Sequence, residues 1–179
     1  MPKALNSAES FVYAVGKSPL GITLAAASPR GICMLAFADS ALELIKDVER
    51  RFLGAMRAPP RHPSIPWFRA AFNHVSTPWK APAFPLDEHG TDFQKSVWRA
   101  LRRIPSGRTA SYLDIARAIG APAASRAVAG ACGANPIAIA IPCHRIVHRD
   151  GSISGYRWGV ERKRKLLALE GRHTSSNAQ

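Results

Sequence analysis

ASYLDIARAIGAPAASRAVAGACGA, residues 110–134, decides how the C-terminal half of this chain is read. Ser111 and Asp114 stand three apart, the spacing of a capping box, and predict a helix that ends at Gly120. Pro122 suits the first turn of a following helix, predicted over Ala123 to about Ala134. Two helices joined by Gly-Ala-Pro suggest a helix-turn-helix. In the second helix nearly every side chain is small, and Arg126 alone is long. Small residues let a backbone approach something closely. One reading is tight packing against neighbouring helices. The other is insertion into a nucleic-acid groove, where a slim helix suits the narrow minor groove better than a base-reading major-groove contact.

Upstream, Thr91 and Gln94 form another capping-box pair. Phe93, Val97, Trp98, Leu101 and Ile104 then recur at helical spacing, and Pro105-Ser106-Gly107 stops the helix. Downstream, Pro136 ends the small-residue helix, and alternating Ile and Ala over 137–141 predict an extended, buried segment. Pro142 turns the chain into Cys143-His144-Arg145. A last helix is predicted from Val160 to about Leu169, with Val160, Lys163, Leu166 and Leu167 on one face and Glu170-Gly171 closing it.

The N-terminal half reads differently. Ser10–Val15, Ile22–Ala27 and Ile32–Phe37 are apolar stretches separated by turn residues, a three-stranded meander. Asp39 or Ser40 can cap a helix reaching about Phe52, with Leu42, Leu44, Ile45, Val48 and Phe52 at helical spacing. Residues 59–85 carry seven of the 14 prolines, which excludes long elements. A short helix around Trp67–Asn73 fits between them, and the rest reads as a surface connector serving both halves.

The 179 residues are 46% hydrophobic and 21% charged, enough for one domain or two small ones and unlike a disordered or fibrous chain. The longest stretch without charge, Ala127–Cys143, is too short to span a bilayer. The N-terminal MPKALNSAES lacks a signal-peptide apolar core, so a cytoplasmic location is expected. Net charge is +13, with 15 basic against 7 acidic residues after position 86. That balance suits a polyanion partner, although charge of this kind also serves solubility alone. Three cysteines, Cys33, Cys132 and Cys143, with no CxxC pair, argue against a disulfide framework or a structural zinc site.

A buried thiol is normally inert, because burial disfavours the thiolate. Cys143 is followed directly by His144, whose imidazole can take its proton. Neighbours along a strand point oppositely, so that proton must travel around a turn or through water. An acceptor such as Glu170 would stabilise the imidazolium. Cys33 and Cys132 have no such neighbour and read as packing residues.

Ile-Pro-Cys-His-Arg-Ile-Val (141–147) resembles the active-site signature of the O6-alkylguanine-DNA alkyltransferases. The resemblance extends through Phe93–Trp98, Tyr112, Arg126-Ala127-Val128, Asn135-Pro136 and Gly151–Gly159, and loosely over residues 10–171. Ser154-Gly155-Tyr156-Arg157-Trp158-Gly159-Val160 is especially similar to the C-terminal domain of bacterial adaptive-response proteins in this family. Their zinc-binding domain and transcription-factor helices have no counterpart here, so a free-standing module is expected.

The resemblance implies single-use repair. An alkyl group leaves guanine O6, or thymine O4, for Cys143. His144 takes the thiol proton through a water, and Glu170 polarises His144. Asn135 braces the link from helix to active site. Tyr112 donates to the departing guanine and helps rotate the phosphate. Arg126 fills the space of the flipped base, with Ala124, Ser125, Ala127, Ala129 and Gly130 against DNA. The carbonyls of Cys143 and Ile146 accept from the guanine amino group, and the Arg157 backbone N–H meets O6. The implied fold is an α/β, ribonuclease-H-like domain over 1–86 and a mainly helical, winged-helix-like domain over 87–171. A disordered tail over 172–179 is expected from its polar composition. The implied partner is double-stranded DNA containing alkylated bases, met by a monomer.

The chemistry agrees with these roles. Displacement at an sp³ carbon needs a soft nucleophile and a stabilised leaving group. The base must leave the stack, at a cost on the order of a few kcal/mol that a wedge and a fitted pocket offset. The thioether product is a poor leaving group, and no cofactor or metal is required. Some family members carry a zinc in the N-terminal domain; Cys33 has no paired ligands there, so none is expected. Ser106 stands where the adaptive-response pattern has Cys, with no expected consequence. Three rivals make distinct predictions. A lesion-binding module would bind without transfer, a transcription factor would bind by sequence, and a cysteine hydrolase would turn over.

Overall fold

The computed structural model describes residues 10–176. They form a mixed α/β fold with a four-stranded sheet and six α-helices among the described residues. The chain divides into two compact units, Met1–Ser76 with Pro82–Glu88, and Thr77–Ala81 with His89–Gln179.

In the first unit, β1 (Val12–Ser18), β2 (Gly21–Ser28) and β3 (Gly31–Ala38) form the expected antiparallel meander. A fourth strand, β4 (Met56–Arg57), adds to β1 in parallel, giving the order β3-β2-β1-β4. Two residues of pairing leave no periodic pattern, which is why β4 was not foreseen. Gly31 (φ +156°) turns the chain into β3 where a Cβ would lie 2.6 Å from the Pro85 carbonyl. That close approach lets Ile32 N–H donate to Pro85 O at 2.8 Å, and Asp87 N–H donate to Ile32 O at 2.9 Å.

Ser40 caps α1 (Ala41–Arg51), accepting from Leu42 N–H. Leu44 and Val48 are buried, but Leu42 is 59% exposed, so the apolar face is narrower than its spacing suggested. The second helix, α2 (Ile65–Ser76), is longer at both ends than Trp67–Asn73. Pro66 falls in its first turn, where a missing N–H costs nothing.

In the second unit both capping boxes form. Thr91 accepts from Gln94 N–H ahead of α3 (Asp92–Leu101), and Ser111 does the same from Asp114 ahead of α4 (Tyr112–Ala118). Gly120 (φ +74°) ends the second of these. The next helix, α5 (Ser125–Ala134), starts two residues later than predicted. Ala124 N–H donates to Ala121 O, so Pro122 sits in the turn and not in the helix. Trp98 Nε1–H donates to Ala131 O at 2.9 Å, fixing α3 against α5.

Residues 137–141 are buried as expected but are not extended. Ala140 N–H donates to Ala138 O and Ile141 N–H to Ile137 O, so the segment coils on itself. Ile139 takes φ +66°, a region that disfavours β-branched residues. The Asn135 side chain makes this coil affordable, receiving from Ile137 N–H at 2.9 Å and donating to Ile141 O at 2.9 Å. Cys143–Arg145 then form a single 3₁₀ turn, leading into a short parallel pair of β5 (Ala110–Ser111) and β6 (Ile146–Val147).

The last helix, α6 (Val160–Ser176), overruns both its predicted end and the start of the expected disordered tail. Gly171 does not stop it. Thr174 Oγ1–H donates to Glu170 O, and the His173 ring stacks on Trp79 at 4.6 Å, tying down the final turns. Residues 177–179 lie outside the described residues.

Candidate active site

The 3₁₀ turn that opens at Cys143 brings three side chains into one buried cluster with α6. Cys143, His144 and Arg145 are all buried, as are Asn135 at the end of α5 and Glu170 on α6. Asn135 Nδ2–H lies 3.3 Å from Cys143 Sγ, and the same amide donates to Ile141 O. Burial pushes the Cys143 thiol up to about 11; the Asn135 amide and the Lys163 ammonium act in the opposite direction. Cys132 on α5 is pushed up by burial to about 12.

His144 Nε2 is 3.0 Å from Glu170 Oε1. A carboxylate only accepts, so Nε2 carries the proton in the neutral ring and Nδ1 is the basic nitrogen. Nδ1 is buried without a hydrogen-bond partner among the described residues. Burial holds His144 below its ordinary pKa, against the pull of Glu170. The ring is therefore neutral at rest and able to take a proton.

Glu170 shows the opposite balance. Burial pushes its carboxyl up, but hydrogen bonds from His144 and Arg145 outweigh it and hold the group at about 2. Arg145 grips both carboxylate oxygens through Nε at 3.2 and 3.1 Å and Nη2 at 2.8 Å. Its remaining donors reach Ile104 O at 2.6 Å and Pro78 O at 3.3 Å. Arg145 had no role beyond the signature in the sequence reading; it is the counterion that keeps Glu170 charged.

Asn135 thus contacts the thiol, while His144 and Glu170 contact each other within the buried cluster. Tyr112 is half-buried at the start of α4, its ring 6.4 Å from that of His148. On α5, Arg126, Ala127 and Gly130 are exposed, Ala124, Ser125 and Ala129 are half-buried, and Val128, Ala131 and Cys132 face inward. The outer face of this helix is therefore nearly flat, with Arg126 projecting. The Ile146 carbonyl differs from expectation. It already receives from Ser154 Oγ–H at 3.0 Å and from Lys163 Nζ, which occupies both of its lone pairs. Arg157 is exposed, and its Nη1 donates to Gly133 O at 3.1 Å, a side-chain bridge that the sequence reading did not foresee.

Fold and site together define a mixed α/β protein with a buried thiol held by an amide and followed directly in the chain by a buried His–Glu–Arg cluster. The family model for the DNA-binding domain of 6-O-methylguanine DNA methyltransferase matches residues 92–172. A methylated-DNA–protein-cysteine methyltransferase of Mycolicibacterium paratuberculosis is 40% identical over 154 residues, covering 84% of this chain and 92% of that protein. The bifunctional transcriptional activator/DNA repair enzyme Ada of Escherichia coli is 47% identical over 161 residues, covering 88% of this chain and 45% of Ada. The chain spans a little under half the length of the two Ada proteins it matches. The crystal structure of Mycobacterium tuberculosis OGT in complex with DNA superposes with a TM-score of 0.75 at 35% identity, covering 90% of this chain and 93% of that one. The chain belongs to the methylated-DNA–protein-cysteine methyltransferase family.

Proposed function

We propose that this protein repairs DNA by direct reversal, moving an alkyl group irreversibly from O6-alkylguanine, and from O4-methylthymine, onto Cys143. The observation that carries the reading is the thiol of Cys143, held by the Asn135 amide and followed by a buried imidazole whose other nitrogen is bound to an ionised Glu170.

The reaction follows from these groups. The Cys143 proton passes to His144 Nδ1 through a bridging water. Glu170, kept ionised by Arg145, stabilises the imidazolium. The sulfur attacks the alkyl carbon in line, the C–O bond breaks, and its electron pair goes to the guanine, which is protonated and remains in the strand as the unmodified base. Tyr112 donates to the departing base, and the Arg157 backbone N–H meets O6. The Cys143 carbonyl accepts from the guanine amino group, and Ile146 does so only by releasing one of its two present donors. The product thioether does not revert, so each molecule acts once.

Duplex DNA is met through the minor groove by the flat outer face of α5, where Ala124, Ser125, Ala127, Ala129 and Gly130 allow close approach. Arg126 takes the place of the flipped base. Residues 87–171 serve as a winged-helix-like DNA-binding and active-site domain, and residues 1–86 as a ribonuclease-H-like support. The protein works in the cytoplasm as a monomer. Among the described residues no helix is long and apolar enough to cross a membrane, which is compatible with that location.

The test is intact-mass measurement after incubation with O6-methylguanine duplex DNA. The expected gain is one CH₂, present in Cys33→Ala and Cys132→Ala and lost in Cys143→Ala. An unmodified protein, or one that consumes many equivalents of lesion, refutes the reading.

A further inference from the structure

The Glu170 carboxylate has to hold its place against His144, yet its position in the chain works against that. It stands directly before Gly171, and Gly-Arg-His-Thr-Ser-Ser (171–176) contains mostly weak helix formers. A helix stopping at Gly171 would leave Glu170 in a last turn, where carbonyls lack partners and ends fray. Instead α6 continues to Ser176, and the added turn is held in three ways. Thr174 Oγ1–H donates to the Glu170 carbonyl at 3.0 Å. Thr174 also lies against Gly107, where a Cβ would collide with its hydroxyl, and the Gly107 N–H lies 3.4 Å from Glu170 Oε2. The His173 ring stacks on Trp79, with centroids 4.6 Å apart and planes 16° from parallel.

Trp79 belongs to a tight turn. Lys80 N–H donates to Thr77 O at 3.0 Å, which puts Pro78 and Trp79 at the two central positions. That bond closes the turn without engaging its central peptide, so the direction of the Pro78 carbonyl follows where Trp79 is held. The buried Pro78 carbonyl accepts from Arg145 Nη2 at 3.3 Å. Arg145 in turn grips both oxygens of Glu170. The stack therefore closes a ring of contacts that runs from Glu170 through His173, Trp79, Pro78 and Arg145 back to Glu170. All of it lies within the second unit.

We propose that Trp79 and His173 are positioning residues for alkyl transfer, their stack clamping the last turn of α6 to the Thr77–Lys80 turn so that Glu170 and Arg145 stay in place for the proton relay through His144. The inference rests on the reading of Cys143 as alkyl acceptor and His144 as its base. Neither ring takes part in bond making. The thiol proton goes to His144, the S–C bond forms as C–O breaks, and the clamp keeps Glu170 against the imidazolium while this happens. The task needs two flat faces in contact and no charge on His173.

The test has two readouts on the full chain. One is single-turnover transfer from O6-methylguanine duplex. The other is the rate at which the His144 Nε2 proton, bound to Glu170 Oε1 at 3.0 Å, exchanges with water, followed by NMR. Trp79→Ala and His173→Ala are each expected to slow transfer about tenfold and to speed that exchange about tenfold, because both follow the opening of one contact. The double variant is expected to lose no more than the worse single one. Trp79→Phe and His173→Phe keep two stacked rings and are expected to stay within about twofold of wild type. A folded Ala variant with wild-type transfer and exchange overturns the proposal. So does slower transfer with unchanged exchange, a double variant in which the losses add, or a Phe variant as slow as its Ala counterpart. A wild type whose His144 proton exchanges as fast as that of an open ring overturns it as well. Should Trp79→Ala not fold, His173→Ala, at a half-buried site near the helix end, decides alone. A wild-type chain that takes up no alkyl group refutes instead the role of Cys143. Proton exchange then tests the clamp by itself, equal rates in wild type and His173→Ala overturning it.

Discussion

Glu170→Gln removes one negative charge from a site that holds a cation on either side during reaction. At rest the carboxylate receives from His144 Nε2 at 3.0 Å and from Arg145 at 2.8, 3.1 and 3.2 Å, with Gly107 N–H at 3.4 Å. Gln preserves the shape and one acceptor. It loses the charge that Arg145 was buried to meet, and breaking such a pair costs about 3–5 kcal/mol. It also loses the charge that stabilises the His144 imidazolium. A hydrogen bond to a charged group contributes about 1.5–3 kcal/mol, so transfer is expected to slow by about ten- to a hundredfold. The two effects separate in a double variant. Arg145→Met with Glu170→Gln removes both buried charges and is expected to recover much of the stability. It is not expected to recover the rate, because the imidazolium still lacks its counterion. Denaturant midpoints report the first effect, and rapid-quench transfer from O6-methylguanine duplex reports the second. A folded Glu170→Gln that transfers at the wild-type rate, or a double variant that regains it, would refute the relay.

Three further outcomes follow from other contacts. Asn135→Ala leaves the Ile137 N–H and the Ile141 carbonyl buried without their side-chain partner, at a cost of ~3 kcal/mol read from urea midpoints; a loss under ~1 kcal/mol would show that the coil is held by other contacts. Acid should destabilise the fold in two stages. His144 is held below its unfolded value of 6.5, so its contribution is complete above that pH and is lost as pH falls toward the folded value. Glu170, held at about 2 against 4.5, contributes fully above 4.5 and loses that contribution as pH falls to about 2. Denaturant midpoints across that range test both, and a midpoint that stays flat on acidification contradicts them. Arg126→Ala should slow repair of duplex lesions while leaving transfer from a free base unchanged, since Arg126 is exposed on α5 and apart from the thiol cluster; equal rates on duplex would remove its role as wedge.

Local rules made several features of this protein legible in its sequence. Thr91 with Gln94, and Ser111 with Asp114, cap their helices through contacts three residues apart. The meander over β1–β3 follows from alternating apolar runs and turn residues, and Cys143 with His144 from simple adjacency. Features that depend on distant partners were not legible. The four-stranded sheet needs β4 to find β1. The Ile–Ala run at 137–141 looked like a strand because the alternation is real, but the Asn135 amide satisfies its backbone locally and lets it coil. The overrun of α6 past Gly171 rests on Trp79, nearly a hundred positions away, stacking on His173.

The same division runs through the active site. Sequence alone singled out the proposed nucleophile, its proposed base and the small-residue helix, because each is a matter of residue type and near neighbours. Tertiary structure decided which charges are buried. Arg145 and Lys163 look like two of many cations in a basic chain until folding excludes water from around them. Whether a charge is solvated or must find a partner depends on what packs over it, and that is fixed by contacts between segments far apart in the chain.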